Sequence, residues 1–272
     1  MPVANTGLAS GGQTFEGESS CGLSRPNAKP RTVSSNLKIK KDMKKAILTI
    51  GLILYGLTCI GQIQYPTSDS THIFWQPGVK ITLQDYKGKP IQQIEELMEK
   101  YDFSASASVG IWSVLDCPKR VRDRYTKFEK VYFAPAFEKT TSYSKTEDKQ
   151  QIEMQNLYFD ICELWARWAR KELRTLQDST NATGVLTIHY LTVKQDMNEG
   201  RLKMFRDYFN DVFIEKNIEA FDKWRKEINE ALENTKKWAT TPEECYRLMT
   251  KKPIEKGYIM APTLVGAMNK KE

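Results

Sequence analysis

The sequence predicts an α+β fold in which short strands come first and long helices follow. Short β-branched and aromatic segments, separated by turn residues, occupy residues 72–137 in a pattern typical of strands. Hydrophobic residues then recur at helical spacing through most of residues 144–237. Segregated strands and helices are typical of an α+β domain rather than of alternating β-α units.

The predicted elements follow the same order along the chain. The expected strands are residues 72–75, 79–83, 104–115, 128–137 and 187–193. The expected helices are a short one at 91–101, a long one from 144 or 146 to about 176, and a second long helical region at 196–237. Residues 239–272 contain three prolines, so we expect a mostly irregular tail with a short helix around 243–249.

The positive charge of the chain is concentrated at its N-terminal end. The whole chain of 272 residues carries a formal charge of +7. Residues 1–61 hold eight Lys or Arg and three Asp or Glu, a net charge of +5, which leaves +2 for residues 62–272. Nucleic-acid binding needs a concentrated basic surface, so the sequence predicts no nucleic-acid partner.

Residues 43–61 have the order of a secretory signal peptide. Met43 is followed by Lys44 and Lys45, then by an apolar run over 46–59 and by small residues. Cleavage after Gly61 would leave Gln62 as the mature start, which resembles exported proteins of Bacteroidetes. We therefore expect a periplasmic, outer-membrane-associated or extracellular protein, with residues 62–72 as a linker.

Residues 1–42 lack hydrophobic periodicity and any targeting signal, so we interpret them as a gene-model extension before a true start at Met43. Two alternatives remain open. Residues 1–42 could be a disordered cytoplasmic tail before an uncleaved anchor, or Cys59 could be lipidated. Either would attach the protein to a membrane only through this leader.

Three cysteines follow the leader, at Cys117, Cys162 and Cys245. This number permits at most one internal disulfide, and Cys117 with Cys245 is the pair we expect if any pair is oxidised. Cys162 lies on the long predicted helix, where a small buried hydrophobic role is the expectation.

The long predicted helix contains the most specific pattern in the chain. Residues 153–174 read EMQNLYFDICELWARWARKELR. From Phe159 to Arg167, FDICELWAR is similar to the end of a helix pattern written HExxHFDIxExxAR. This pattern belongs to a family of exported, predicted zinc-dependent proteases catalogued as a bacterial domain of unknown function.

Two further patches resemble the same family. Trp75 and the run LQDYKGKP at 83–90 are similar to its opening W…LxWxDFxGxP. The run FAPAF at 133–137, followed by Ser142 and Tyr143, is similar to its strand that ends in Ser-Trp. The resemblance covers roughly residues 73–235. It implies a zincin-like domain at 73–238, with N-terminal strands followed by an active-site helix and a second long helix.

The catalytic groups of that family are absent from the matching positions. In HExxH, two histidines four residues apart bind Zn²⁺ from one helix face, and the glutamate takes a proton from the metal-bound water. This chain has Met154, Gln155 and Tyr158 there. The family's third ligand, a histidine, falls at Phe213 or Ile214. The resemblance therefore implies a degenerate site, for which we expect no catalytic residue, no metal and no cofactor.

The chain has only two histidines, His72 and His189. We expect His72 to face solvent and His189 to be a core residue of the predicted strand 187–193. A mixed metal site built from His189, Cys162 and a carboxylate remains an alternative, although the spacing of these residues in the sequence does not indicate one.

Several side chains on the long helix have both a functional and a packing interpretation. Trp165 and Trp168 could stack on a carbohydrate, but core packing is the expected role. Asp160 and Glu163 could form an acid pair for glycoside hydrolysis, but solvation or pairing with neighbours such as Arg167 is expected. The basic residues of this helix are expected to form a solvated edge, and they are Arg167, Arg170, Lys171 and Arg174.

Three functional hypotheses follow. The first is an exported, non-catalytic homologue of a zinc-dependent protease that binds a peptide, a protein or an envelope component. The second is an active metal-dependent peptidase or hydrolase with a non-standard ligand set. The third is a structural or assembly protein that uses an exposed apolar stripe of the 196–237 helix.

Overall fold

Strands and helices are segregated along the chain in the computed structural model, which describes residues 65–262 and is α+β. The strands are β1 (His72–Phe74), β2 (Ala105–Ser106), β3 (Val109–Pro118), β4 (Lys130–Glu138), β5 (Tyr143–Ser144) and β6 (Tyr258–Met260). The α-helices are α1 (Gln92–Tyr101), α2 (Lys149–Thr180), α3 (Val185–Phe209), α4 (Ile218–Asn234) and α5 (Pro242–Thr250). The expected signal peptide, its cleavage site and Cys59 lie outside the described residues.

The main sheet has four antiparallel strands in the order β1-β4-β3-β6, and β2 pairs with β5 separately. Strands β3 and β4 form its centre, with Val109 opposite Phe137 and Asp116 opposite Lys130. Side chains alternate between the two faces of a strand. On β3, Leu115 packs with residues of α2 and α3, whereas Trp112 packs on the opposite face with residues of α5. The sheet therefore lies between the long helices and the C-terminal helix.

Helix α2 is the central element of the fold. The Asp148 side chain accepts a hydrogen bond from the Gln150 N–H and caps its first turn. The helix ends at Asn181, which adopts a left-handed conformation with φ of 46°. Its 32 residues contact the sheet, α3 and α4. Three apolar clusters include α2 residues, and a fourth lies on the other face of the sheet.

The expected strand at 187–193 is wrong, because these residues belong to α3. Gly184 starts this helix at φ of 85°, a conformation that favours glycine. Leu186, Tyr190 and Val193 are all buried, and their spacing follows one helix face. The β-branched residues are thus accommodated by tertiary packing, which overrides their local preference.

The second long helical region is two helices rather than one. Helix α3 ends at Phe209 and continues into a π-helical turn, Asn210–Ile214, before α4 begins at Ile218. The Asn217 side chain accepts a hydrogen bond from the Ala220 N–H and caps α4.

The expected strand at 79–83 is also absent, and a short 3₁₀ turn occupies Leu83–Asp85.

The short helix expected around 243–249 is confirmed as α5. The rest of the described C-terminal segment is not simply an irregular tail, because it adds strand β6 to the main sheet. Pro242 occupies the start of α5, where its missing N–H costs nothing. Thr241 and Glu244 form a capping box at the same end. Residues Asp116–Pro118 of β3 then pair with Met260–Tyr258 of β6. The prolines of this segment therefore do not prevent it from forming a helix and a strand.

The expected linker at 62–72 is also folded where it is described. The Asp69 carboxylate accepts hydrogen bonds from the N–H groups of Thr71 and His72 at 2.8 and 2.7 Å. The Phe74 N–H donates to the Thr67 carbonyl at 2.9 Å. Residues 67–74 therefore form a turn that covers the outer edge of β1.

Cys117, Cys162 and Cys245 are all free and buried, and no disulfide joins Cys117 to Cys245, the pair expected if any were oxidised. Cys117 belongs to the odd-numbered β3 residues, on the face of the sheet away from the α5 residue Cys245. The sheet itself therefore separates the two sulfur atoms. Burial raises the pKa of the Cys162 and Cys245 thiols to about 12.

A close contact between α2 and α3 depends on the absence of a side chain at Gly200. A Cβ atom built at Gly200 would lie 2.0 Å from the Trp165 ring. An ordinary Gly→Ala change inside a helix stabilises a protein by about 1 kcal/mol. Gly200→Ala is expected instead to destabilise the fold by about 1–3 kcal/mol, because Trp165 or the helix has to move. Denaturant unfolding measures this change.

The control is Asp196→Ala, an exposed position on the same helix that is expected to change stability by less than about 0.5 kcal/mol. A Gly200→Ala protein as stable as the unmodified chain, or more stable, would contradict the contact.

Candidate functional site

The positions that match HExxH lie in the first half of α2, in a densely packed apolar cluster. Met154 is 6% exposed and belongs to a cluster with Leu157, Tyr208 and Phe213. The Tyr158 ring lies edge-on to Tyr208, with ring centroids 4.9 Å apart. The side chains at the two expected histidine positions are therefore part of the hydrophobic core.

The stretch that matches the third ligand packs against the same cluster. The Tyr208 hydroxyl donates a hydrogen bond to the Met154 carbonyl at 2.8 Å. Phe213 is 5% exposed, and its ring lies 5.9 Å from that of Tyr208. Ile214, the alternative position for the third ligand, is 45% exposed. The fold thus brings the three matching positions Met154, Tyr158 and Phe213 together.

Gln155, at the position of the family's glutamate, has a structural partner. It is 5% exposed, and its side-chain carbonyl accepts a hydrogen bond from the Ala107 N–H at 3.1 Å. Ala107 follows the short strand β2, so Gln155 attaches α2 to this part of the chain. A neutral amide used in this way cannot take a proton from water at physiological pH.

The donor groups at these positions do not fit zinc. Zn²⁺ selects thiolate, imidazole and carboxylate ligands, whereas Met154 offers a thioether and Phe213 offers no donor. Burial raises the pKa of Tyr158 far above its usual range, so its phenol stays protonated. Within residues 65–262, no three His, Cys, Asp or Glu side chains are arranged to hold a metal ion.

The two histidines lie in separate surroundings. His72 is half-buried in β1, where its ring lies 4.6 Å from that of Trp112 and its Nδ1 lies 2.7 Å from the Thr71 hydroxyl. The expectation that His72 faces solvent is therefore only partly met. His189 is exposed on α3, so its expected place in the core is wrong. Cys162 is fully buried, and no site of His189, Cys162 and a carboxylate forms among the described residues.

The three sequence patches that carry the family resemblance meet in space. The Trp75 indole N–H, from the first patch, donates to the Asp160 carboxylate on α2 at 2.8 Å. Asn156, also on α2, donates to the Ile81 carbonyl at 2.9 Å and lies 3.4 Å from the Tyr86 hydroxyl. The segment between β1 and α1 is therefore held directly against the helix.

Gly88 and Ser142 join the first patch to the second. The Gly88 N–H donates to the Ser142 carbonyl at 2.8 Å. A Cβ atom at Gly88 would lie 2.8 Å from that same oxygen, so this close approach requires glycine. The Ser142 hydroxyl is buried and accepts a hydrogen bond from the Ser108 N–H at 2.9 Å.

A buried network of charged side chains lies on the other half of α2. Glu163 is fully buried and accepts hydrogen bonds from Arg167 at 2.7 Å and from the Thr240 N–H at 2.9 Å. Arg170 donates to Glu244 at 2.9 Å and to the Phe133 carbonyl at 2.7 Å. We call Glu163, Arg167, Arg170 and Glu244 the α2 ion network. Its two positive and two negative charges are balanced.

The α2 ion network fastens the C-terminal segment to the helix. Arg167 also donates to the Leu232 carbonyl, and Arg170 donates to the Thr240 hydroxyl. Burial raises the pKa of Glu244, while the Arg170 guanidinium opposes that shift. A second buried pair, Arg247 with Asp116, attaches α5 to β3 with two hydrogen bonds of 2.7 and 2.6 Å.

These contacts correct the expectation of a solvated basic edge. Arg167 is 3% exposed and Arg170 is 9% exposed, and only Lys171 and Arg174 lie on the surface. The pairing of Glu163 with Arg167, four residues apart, was predictable from helical spacing. Their partners Thr240 and Glu244 were not, because more than seventy residues separate them from Glu163 and Arg170 along the chain.

The remaining candidates on α2 also serve packing. Trp165 and Trp168 have ring centroids 5.5 Å apart, and both pack against the cluster between α2 and α3, as expected for core residues. Asp160, one member of the proposed acid pair, pairs with Arg225 on α4 at 2.5 Å. Asp160 pairs with Arg225, whereas Glu163 pairs with Arg167. The two carboxylates therefore have separate arginine partners and do not form an acid pair.

The comparisons with known proteins identify no relative. No protein-family model matches the chain, and no curated protein or solved structure is significantly similar to it. No helix among residues 65–262 is both long enough and apolar enough to span a bilayer.

The α2 ion network makes a quantitative prediction about stability. Glu163→Gln keeps the side-chain shape but removes the carboxylate that Arg167 and Thr240 contact. The loss of one partner from a buried ion network costs about 3–5 kcal/mol, because the remaining charges stay desolvated. Denaturant unfolding of the purified protein measures the change.

The matched control is Arg174→Ala on the same helix. Arg174 pairs with Asp178 at the surface, where both side chains are about 60% exposed, and such pairs contribute about 0–1 kcal/mol. Equal losses of unfolding free energy in Glu163→Gln and Arg174→Ala would mean that the buried network contributes no more than a surface ion pair, and would contradict this prediction.

Proposed function

We propose that this protein is an exported, non-catalytic homologue of a zinc-dependent protease that acts as a binding or envelope-associated protein. One observation carries the proposal. The positions that match the family's metal ligands hold Met154, Tyr158 and either Phe213 or Ile214, and of these Met154, Tyr158 and Phe213 pack together in one apolar cluster. In this proposal, apolar and aromatic side chains take the place of the metal ligands.

The replacements are physically coherent with each other. A metal pocket without its metal leaves buried polar groups unpaired, which costs free energy. Apolar and aromatic side chains at all three positions remove this cost and add packing between α2 and the π-helical turn. The contacts of Trp75 with Asp160 and of Gly88 with Ser142 join the three patches and support the proposal of a zincin-like arrangement around α2.

A binding role has a surface available beside the filled positions. The π-helical turn and α4 form a groove of about 430 Å³, lined by Asp211, Glu215, Asn217, Glu219, Ala220, Lys223, Trp224 and Glu227. Trp224 connects it to the cluster, since its ring lies 5.7 Å from that of Tyr208. Four carboxylates and one lysine give the groove a negative charge, which favours a cationic partner such as a basic peptide segment.

The two alternative functions have less support. An active hydrolase would need a ligand set that the described histidines and cysteines do not assemble. An assembly role for the 196–237 region would need a continuous apolar stripe. Leu202 and Ile214 are each 45% exposed, but they belong to different elements, and Phe221 and Ile228 of α4 are buried.

The first experiment measures the zinc content of the purified protein by elemental analysis after dialysis against trace zinc. We expect no bound zinc above background, because the donor groups do not fit the ion. The triple variant Met154→His, Gln155→Glu, Tyr158→His is the comparison, since it restores the motif on the same helix and is expected to retain more zinc. One equivalent in the unmodified protein, lost on changing His189 or Cys162, would favour the hydrolase.

The second experiment tests the groove. A photo-crosslinking amino acid replaces the exposed Glu219 in the groove or, as a control, the exposed Lys203 on α3. The native cell envelope is the source of partners. Adducts of one defined partner from position 219 alone are expected. Equal labelling from both positions, or adducts from position 203 alone, would contradict binding at this groove.

A further inference from the structure

Positive charge is concentrated at one end of the main sheet, where β3 leads into β4. Residues 119–130 read KRVRDRYTKFEK and hold six Lys or Arg and two Asp or Glu, a net charge of +4. We call these residues the basic tip. The described residues 65–262 carry only +1 in total, so the rest of them carries −3. The small net charge of the domain therefore conceals one strongly basic surface.

The basic tip is held in place near both of its ends. The Lys119 N–H donates a hydrogen bond to the Gly257 carbonyl at 2.8 Å. The Tyr258 hydroxyl donates to the Phe128 carbonyl at 3.0 Å. Between these points, Val121–Tyr125 forms a 3₁₀ turn. The side chains of the tip are therefore presented from a defined backbone, which reduces the conformational entropy that binding a partner costs.

Five of the six basic side chains of the tip are exposed. They are Lys119, Arg120, Arg122, Lys127 and Lys130. The sixth, Arg124, is half-buried and donates a hydrogen bond to the Pro118 carbonyl at 2.9 Å. Most of the positive charge is thus in contact with water and accessible to a partner.

The acidic residues around the tip neutralise only part of this charge. The Asp123 carboxylate lies 3.6 Å from Arg122 and 3.7 Å from Lys127, so it is shared between two cations. Glu255, in the segment before β6, pairs with Lys130. Lys119 and Arg120 add two further exposed positive charges. Exposed ion pairs of this kind are weak, so an anionic partner can replace them.

The second acidic residue of the tip, Glu129, is directed into the protein. It is 6% exposed, and its Oε1 lies 3.5 Å from the Thr187 hydroxyl on α3. The outer surface of the tip therefore presents Asp123 as the acidic group of residues 119–130.

Two apolar side chains project from the same 3₁₀ turn. Tyr125 is 79% exposed and Val121 is 62% exposed, and Tyr125 is the most exposed large hydrophobic side chain of residues 65–262. Single exposed hydrophobic residues are common on protein surfaces. These two, however, stand among arginines and lysines on one short turn. A partner that offers both anionic groups and an apolar layer would bury the pair and neutralise the charge around it.

An anionic lipid surface offers both features. Its headgroups attract basic side chains, and each basic residue close to the surface strengthens binding by about fivefold. Its interfacial layer accepts a tyrosine ring, which is apolar with a polar end, and aliphatic side chains such as valine. A flat bilayer also needs no complementary pocket on the protein, so a short exposed turn is sufficient.

A single-stranded nucleic acid fits the tip less well. It would match the positive charge and could stack on the Tyr125 ring. Such ligands, however, are bound along a basic groove that follows the nucleic-acid backbone. The tip is a single turn between two strands, and Val121 would remain in water.

We propose that the basic tip docks on an anionic lipid surface. Arg120, Arg122 and Lys127 contact the headgroups, and Val121 and Tyr125 enter the interfacial layer. This contact depends neither on the proposed loss of catalysis, nor on the acidic groove, nor on the leader. The rest of the described domain is net negative, so anionic headgroups repel it and the tip is the part that faces the bilayer.

The test places an environment-sensitive fluorescent amino acid at position 125 of the full chain. Its emission is recorded with vesicles of phosphatidylcholine alone and with vesicles of phosphatidylcholine and phosphatidylglycerol in equal amounts. A shift to shorter wavelength is expected with the anionic vesicles only, because the side chain leaves water there. The same amino acid in place of the exposed Lys203 on α3 is expected to keep its emission with both.

Matched pairs of substitutions then remove the same charge from two different surfaces. Arg120→Gln with Arg122→Gln is expected to raise the lipid concentration at half-maximal shift by about 25-fold, since each residue contributes about fivefold. Lys203→Gln with Arg206→Gln removes two exposed cations from α3 and is expected to raise it by less than about threefold.

Four outcomes would overturn the proposal. The first is unchanged emission at position 125 with anionic vesicles. The second is an equal shift with neutral vesicles, which would mean that the basic residues play no part. The third is an equal effect of the two pairs of substitutions. The fourth is the same change of emission with a single-stranded oligonucleotide at a lower concentration than with lipid, which would assign the tip to nucleic acid.

Discussion

The buried α2 ion network is the interaction on which the arrangement of this protein depends. Glu163, Arg167 and Arg170 stand on one helix, yet their partners come from the sheet, from the end of α4 and from α5. Charges taken out of water are costly unless every hydrogen-bonding group is satisfied. The C-terminal segment therefore has to return to α2, since Thr240 and Glu244 supply the groups that complete the network.

This constraint gives a physical meaning to the pattern that resembles the protease family. The polar residues of α2 that match the pattern are Asp160, Glu163 and Arg167, and each of them holds another part of the chain in place. Their roles are structural, and they do not require a metal. The neighbouring positions Met154 and Tyr158 are packing groups in the same helix.

The apolar cluster around Met154 and Tyr158 and the groove on the π-helical turn and α4 share residues at their boundary. Tyr208 touches both Met154 and Tyr158 on one side and Trp224 on the other. Aromatic packing against the core holds the π-helical turn in place. The acidic side chains of the groove belong to that turn and to α4. In the proposed function, the protein binds a partner on a surface that this packing preorganises, and it catalyses no reaction.

The amino-acid sequence by itself determined the α+β class, the positions of β1, α1, β4 and α2, and the absence of metal donors at Met154, Gln155 and Tyr158. These follow from local periodicity and from residue chemistry, which need no knowledge of distant contacts. Only the tertiary structure decided that residues 187–193 are helical, that Arg167 and Arg170 are buried, and that residues 239–262 belong to the domain. Each of these depends on partners far away in the sequence, and burial against them outweighs the local preference of the chain.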